Sequence, residues 1–246
     1  RRRHTRCLSD WSSDVCSSDL QNIRTTRPLE LVCLDFLSLE RSTGGYEHIL
    51  VVTDHFTRYS QAYPTRDEKA VTVARVLWEK FISNYGIPER IHSDQGRSFE
   101  STVVSELCDL LGMAKSKTSP YHPQGNGMTE RFNRTLLSML GTLQPAQKAS
   151  WASHLQPLTY AYNCAKHEST GYAPFYLMYL RKPRMPVDLL IQPEEVEQTY
   201  PQSVYVQQLE ERLREATQKV EQLAEAARMK QKAAYDKKSR DEPLRP

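Results

Sequence analysis

Three acidic residues have the types and spacing for chemistry on phosphate esters: Asp35 in LVCLDFL, Asp94 in IHSDQG and Glu130 in GNGMTERFNRT. Thirty-five residues lie between Asp94 and Glu130. Hard cations such as Mg²⁺ take oxygen ligands, and a pair of ions about 4 Å apart can hold both the attacking and the leaving oxygen of a phosphodiester. Carboxylates from separate segments build that clamp only where the fold brings them to one point. No Ser-His or Cys-His grouping stands in a context that suggests a covalent nucleophile. Polar groups gather near Glu130: His122, Gln124 and Asn126 in SPYHPQGNG, Lys115 and Lys117 before it, Arg131 and Arg134 after it. On a Gly-Pro loop the polar side chains can reach phosphates or unpaired bases, and the basic ones can add backbone contacts. Ordinary turn chemistry and a solvated surface are the plainer readings of these residues.

The elements that must position the acids are legible in outline. Residues 29–39 form an apolar-rich run that predicts a strand. A turn at Gly44-Gly45 leads into HILVVTDHF, a second strand, and RYSQAYP gives a third that stops at Pro64. Glycine turns and short spacings make these three antiparallel neighbours. From Lys69 to Tyr85 the pattern is helical, with Val73, Val76, Leu77, Phe81 and Ile82 on one face and Gly86-Ile87-Pro88 ending it. RIHSD is a short buried strand with Asp94 at its end. Phe99 to Leu111 then predicts a helix closed by Gly112, and AKSKTS a short edge strand. SPYHPQGNG must be a loop, and helices follow over Thr129–Leu143 and, beyond Pro145, over Trp151–Lys166. Strands first and then strand and helix alternating predict an α/β domain with a mixed sheet.

Each acid has a competing explanation when taken alone. Phe132, Leu136, Met139, Leu140 and Leu143 cluster on one side of their helix, so Glu130 points from its first turn toward a groove or solvent. An acid there is also favoured by the helix dipole. Asp94 precedes Gln95-Gly96 and fits a simple turn. Asp35 is harder to explain away, because it interrupts an apolar strand where an unpaired charge is costly. Asp54, in VVTDHF, has a similar setting and competes for the same role. His55, His92, His154 and His167 read as structural histidines.

Taken jointly, SDQGRSF, the thirty-five-residue gap, SPYHPQGNGMTERFNRTL and the later TGYAPFYLMYLRKPR resemble the catalytic core of integrases, above all those of gypsy-like long-terminal-repeat (LTR) retrotransposons and retroviruses. The resemblance covers residues of about 25–190. It implies an RNase H-like fold of five strands flanked by helices, with Asp35, Asp94 and Glu130 binding two Mg²⁺ or Mn²⁺ ions, and it leaves Asp54 outside the ligand set. It also implies the family's two steps: trimming element DNA ends and joining them to target DNA. The partners expected are therefore element-end DNA, met by the His122–Asn126 loop, target DNA, and further copies of the chain in a homo-multimer. The nucleus at the time of integration, and otherwise the cytoplasm, is the expected location. A different class stays open: a domesticated DNA-binding or scaffold protein without catalysis, whose usual mark would be loss of one of the acids. An RNase H-type nuclease shares the fold, but the QGNG…ERFNR segment disfavours it.

Bulk properties fit this and narrow little. Among 246 residues, 39% are hydrophobic and the net charge is +3, which permits a nucleic-acid partner without announcing one. No apolar run is long enough to span a membrane. The five cysteines form no CxxC pair, so neither a disulfide framework nor a zinc site is expected, and a reduced compartment suits them. Residues 1–20, with three Asp and five Ser, read as a translated sequencing adaptor rather than a Ser-rich natural terminus. His4, Cys7 and Cys16 are therefore not read as ligands. Residues 21–28 are a linker, 29–182 the catalytic core and 183–203 a Pro-rich linker. In 204–240, Leu209, Leu213, Ala216, Val220, Leu223 and Ala227 keep a heptad spacing and the end is basic. That predicts an amphipathic helix lying on its own domain or serving as a spacer, with a partner-binding coiled coil as the sharper alternative. Residues 241–246 read as a cut tail. The family's zinc domain upstream and its small C-terminal domain are expected beyond the two ends.

Overall fold

A computed structural model describes residues 24–117, 127–189 and 202–240. Three strands open it: β1 (Val32–Ser42), β2 (Tyr46–Asp54) and β3 (Ser60–Thr65). They pair antiparallel, Asp35 lying opposite Val51 and Val51 opposite Ala62. Gly44 and Gly45 both have positive φ in the β1–β2 turn, where a side chain would be strained. β1 starts three residues later than the apolar run suggests. Leu29 has a left-handed φ of 61°, its N–H donates to Asp54 Oδ1 and its carbonyl accepts from Glu89 N, so the chain bends before entering the sheet. Pro64 lies inside β3 rather than ending it, which an edge strand tolerates because the missing N–H faces away from the ladder.

β4 (Arg90–Ser93) and β5 (Ala114–Lys117) complete a five-stranded mixed sheet in the order β3-β2-β1-β4-β5. β4 runs parallel to β1, with Cys33 beside His92, so two residues further on Asp35 comes level with Asp94. Helices cover both faces, and β2 is accordingly apolar without alternation. Leu50 and Val52 join the core formed with α1 (Ala70–Val76) and α3 (Thr102–Leu111). Ile49 and Val51 join Phe132, Leu136 and Leu140 of α4 (Gly127–Gly141) and Leu155 of α6 (Trp151–Cys164).

Several elements differ from the sequence expectation. The helix beginning at Ala70 widens into a π-helical stretch, Leu77–Ile82, and finishes as α2 (Ser83–Tyr85); the expected apolar face is nevertheless the buried one. α3 begins at Thr102 because Ser101 caps it, accepting from Val104 N at 3.4 Å, while Phe99 forms a turn and stacks on Phe36 at 5.4 Å. α5 (Pro145–Lys148) and α7 (Pro174–Tyr179) are short helices begun by proline, which presets φ and needs no N–H in a first turn. A 3₁₀ turn, Pro186–Leu189, lies in the expected linker. α8 (Gln202–Arg240) is one helix, and it lies on its own domain: Ala216 and Val220 pack with Phe56 and Leu177. No helix among the described residues is long and apolar enough to cross a membrane.

Candidate active site

Asp35 sits mid-β1 on the face covered by α4 and α6, half-buried, between Leu34 and Phe36, which face the other core. Burial pushes its carboxyl up from 3.8 to about 6. Two hydrogen bonds oppose that: Phe36 N donates to Oδ1 at 2.9 Å, and Asn133 Nδ2 donates to Oδ2 at 2.8 Å. Repulsion from Asp94 and from Glu130 adds to the rise, so the three carboxylates lie within electrostatic reach of one another. Asp94 follows the end of β4, exposed, with Oδ1 accepting from Gly96 N at 2.9 Å. A Cβ on Gly96 would stand 2.9 Å from that oxygen, so a larger residue here would push the Asp94 carboxylate aside. Glu130 is exposed in the first turn of α4, opposite the buried Phe132, Leu136 and Leu140.

Coupling is not yet ligand geometry. Among the described residues no group of three His, Cys, Asp or Glu is gathered closely enough to hold a metal ion. The donor set still fits a hard divalent cation: all its ligands are carboxylate oxygens, they repel each other, and positive charge would relieve that repulsion. Asn133 Oδ1, beside Asp35, is a buried oxygen without a partner, a further unmet demand at this point.

The remaining candidates divide. Lys115 and Lys117 are tied to Glu100, at 3.2 and 3.1 Å, and pull its carboxyl below the usual range. Arg131 and Arg134 lie exposed on α4 with no acidic partner among the described residues. His122, Gln124 and Asn126 fall outside the described residues. Asp54 is a turn anchor: it accepts from Thr57 N and Thr57 Oγ1, both at 2.7 Å, and from Leu29 N at 2.8 Å. His55 bonds Thr25, His92 bonds Ser116 and His167 bonds Ser169, each within the fold. Cys33, Cys108 and Cys164 are free thiols.

Gly96 was expected only as a turn residue, and Asn133 was not expected at the site at all. A signal for Asn133 was present. Thr129, Phe132, Asn133, Leu136 and Leu140 are all buried along one helical stripe, and an amide there must answer something polar.

Residues 25–123 match the family model of the integrase core domain, a span that holds Asp35 and Asp94 and stops short of Glu130. The Gag-Pol polyprotein of avian reticuloendotheliosis virus is 32% identical over 161 residues, 65% of this chain and 14% of that polyprotein. The retrovirus-related Pol polyprotein from transposon 412 of Drosophila melanogaster is 28% identical over 203 residues, 82% of this chain and 16% of that polyprotein. The chain thus spans about a sixth or less of these relatives. Among solved structures, the HTLV-2 integrase catalytic core domain in complex with magnesium aligns with a TM-score of 0.53 at 18% identity, covering 63% of this chain and 100% of that one. A chain of the simian T-cell lymphotropic virus intasome in complex with the PP2A regulatory subunit B56 gamma gives 0.55 at 20% identity, covering 67% and 58%. The fold is RNase H-like, as in those cores.

Proposed function

We propose that this chain, which carries an integrase core domain similar to those of retroviruses and LTR retrotransposons, trims element DNA ends and joins them to target DNA. The observation that carries the reading is the parallel register of β1 and β4, which brings Asp35 level with Asp94, with Glu130 in the first turn of α4 within electrostatic reach. They would hold divalent cations, Mg²⁺ or Mn²⁺ and two per site. The HTLV-2 core solved with magnesium supports that choice of ion. When bound, such ions neutralise the carboxylates and polarise the attacking and leaving oxygens of a phosphodiester.

The chain's own residues supply position. Phe36 N and Asn133 fix both oxygens of Asp35, and Gly96 N fixes one of Asp94. Glu130 reaches outward from α4, so a substrate strand can approach it without disturbing the core. No side chain acts as nucleophile; water attacks in trimming and a DNA 3′-hydroxyl in joining. Arg131 and Arg134 contact the phosphate backbone, and His122, Gln124 and Asn126 belong to the loop proposed to meet the element end. Lys115 and Lys117 would have to exchange Glu100 for phosphate before contributing.

In this reading 29–182 is the catalytic unit, 183–203 a Pro-rich linker and 204–240 an amphipathic helix with a basic end. The working form is a homo-multimer on DNA, acting in the nucleus. The dimeric and trimeric HTLV-2 cores and the viral intasome support the multimer by analogy. The test is a Mg²⁺-dependent strand-joining assay. Asp94→Asn should lower joining at least a hundredfold while the protein melts as before. Normal joining by that variant would remove the proposal.

A further inference from the structure

Between β2 and β3 the chain turns through Arg58, which holds a left-handed φ of 67° where glycine would be relaxed. Its guanidinium lies on the α4/α6 face, within electrostatic reach of Cys33, Tyr162 and Arg131. Nη1 is sealed from solvent and has no hydrogen-bond partner, although the residue as a whole keeps some exposure. Burial lowers its pKa to about 10, so the group stays charged at neutral pH. Asp54 is the acid whose field reaches it, but that carboxylate is spent on Thr57 and Leu29.

Two further features point at the same place. Thr129, fully buried in the first turn of α4, faces the Cys33 thiol beside this arginine. Arg131, exposed two residues on, lies close enough to Arg58 to depress it, and both arginines help burial to hold His167 neutral, its pKa pulled down to about 4. Asp54 offsets Arg58 through space but makes no hydrogen bond to it, so a directly bonded anion would recover further free energy from the two neighbouring arginines.

We propose that Arg58, backed by Arg131, is a phosphate-binding subsite beside the three carboxylates, taking a phosphodiester oxyanion of the bound nucleic-acid strand. The strand is named on the strength of the function proposed above; the anion site stands on its own observations. Cys33 precedes Asp35 by two residues on one face of β1, about 6–7 Å, and Arg131 adjoins Glu130. A strand whose reacting phosphate lies at the carboxylates would therefore carry another phosphate toward Arg58.

Inorganic phosphate is the first ligand to test, titrated into the full chain at constant ionic strength against chloride and followed by the His167 imidazole NMR signals. A saturable, phosphate-specific shift is expected. Arg58→Gln should weaken it at least tenfold, Arg131→Gln less, and Lys182→Gln not at all. No saturable shift in the unaltered chain, an equal response to chloride, or an unchanged response in Arg58→Gln overturns the proposal. If Arg58→Gln does not fold, Arg58→Lys replaces it: the shift should survive weakened, and full-strength binding counts against a guanidinium site. With a short DNA duplex, Arg58→Gln should lower the slope of log affinity against log salt by about one. Phosphate binding without DNA joining would sink the enzymatic reading alone; joining without a phosphate response would sink the subsite alone.

Discussion

Asp35 holds its carboxylate where the strand on either side is packed into a core, and two consequences follow at the scale of the residue. Its folded pKa, about 6, lies above the ordinary 3.8, so the folded chain binds the proton more tightly than the unfolded one. Without metal, stability is therefore fullest at low pH and falls as pH rises through that window. Asp35→Asn removes the penalty: the metal-free variant should exceed the parent by about 1–3 kcal/mol at pH 7 and match it below pH 4, read from denaturant melts. A variant no more stable at pH 7 would show the carboxylate to be unstrained. Asn133 holds Asp35 Oδ2 through a bond to a charged group. Asn133→Ala should lower joining about tenfold at limiting Mg²⁺ and less at saturating Mg²⁺; identical Mg²⁺ curves would deny it a positioning role. Asp35 was legible because a charge in an apolar strand demands a reason. Asn133 and Arg58 were not, because their partners lie far away in sequence.

At the scale of elements, hydrophobic period found most helices and strands and turn residues found their ends. What it could not find were features set by contacts. The π-helical stretch keeps the same buried residues as an α-helix would, so the period carries no mark of it. β4 and β5 have four residues each, too few to announce that they pair parallel to β1 and to each other. The segment TGYAPFYLMY, singled out for its likeness, turns out to seat α8: Tyr172, Tyr176 and Leu177 pack with Ala216 and Val220. Gly171 has a φ of 71°, and a Cβ there would lie 2.8 Å from Leu223 Cδ1. Gly171→Ala should therefore cost about 1–2 kcal/mol and expose α8 to limited proteolysis. Adding Leu223→Ala should relieve the clash and leave the backbone strain. Unchanged protease resistance in Gly171→Ala would mean that α8 is not held at this contact.

For the whole molecule, the sheet order explains why three acids distant in sequence come within electrostatic reach of one another. β1 lies at the centre, antiparallel to β2 and parallel to β4, so the middle of β1 faces the end of β4. α4 packs across β1 and β2 through Phe132 and Leu136, which brings its first turn to the same point. The integrase likeness was readable from the joint motif; the electrostatic state of the candidate site, coupled yet short of ligand geometry, required coordinates. The central claim is that Asp35, Asp94 and Glu130 act as one centre. Strand joining by Asp35→Asn, Asp94→Asn and Glu130→Gln, singly and all together, tests it most directly. Parts of one centre are grossly non-additive. Each single change should abolish Mg²⁺-dependent joining about as fully as the triple change does. Losses that multiply stepwise toward the triple variant, or normal joining by any single one, would contradict it.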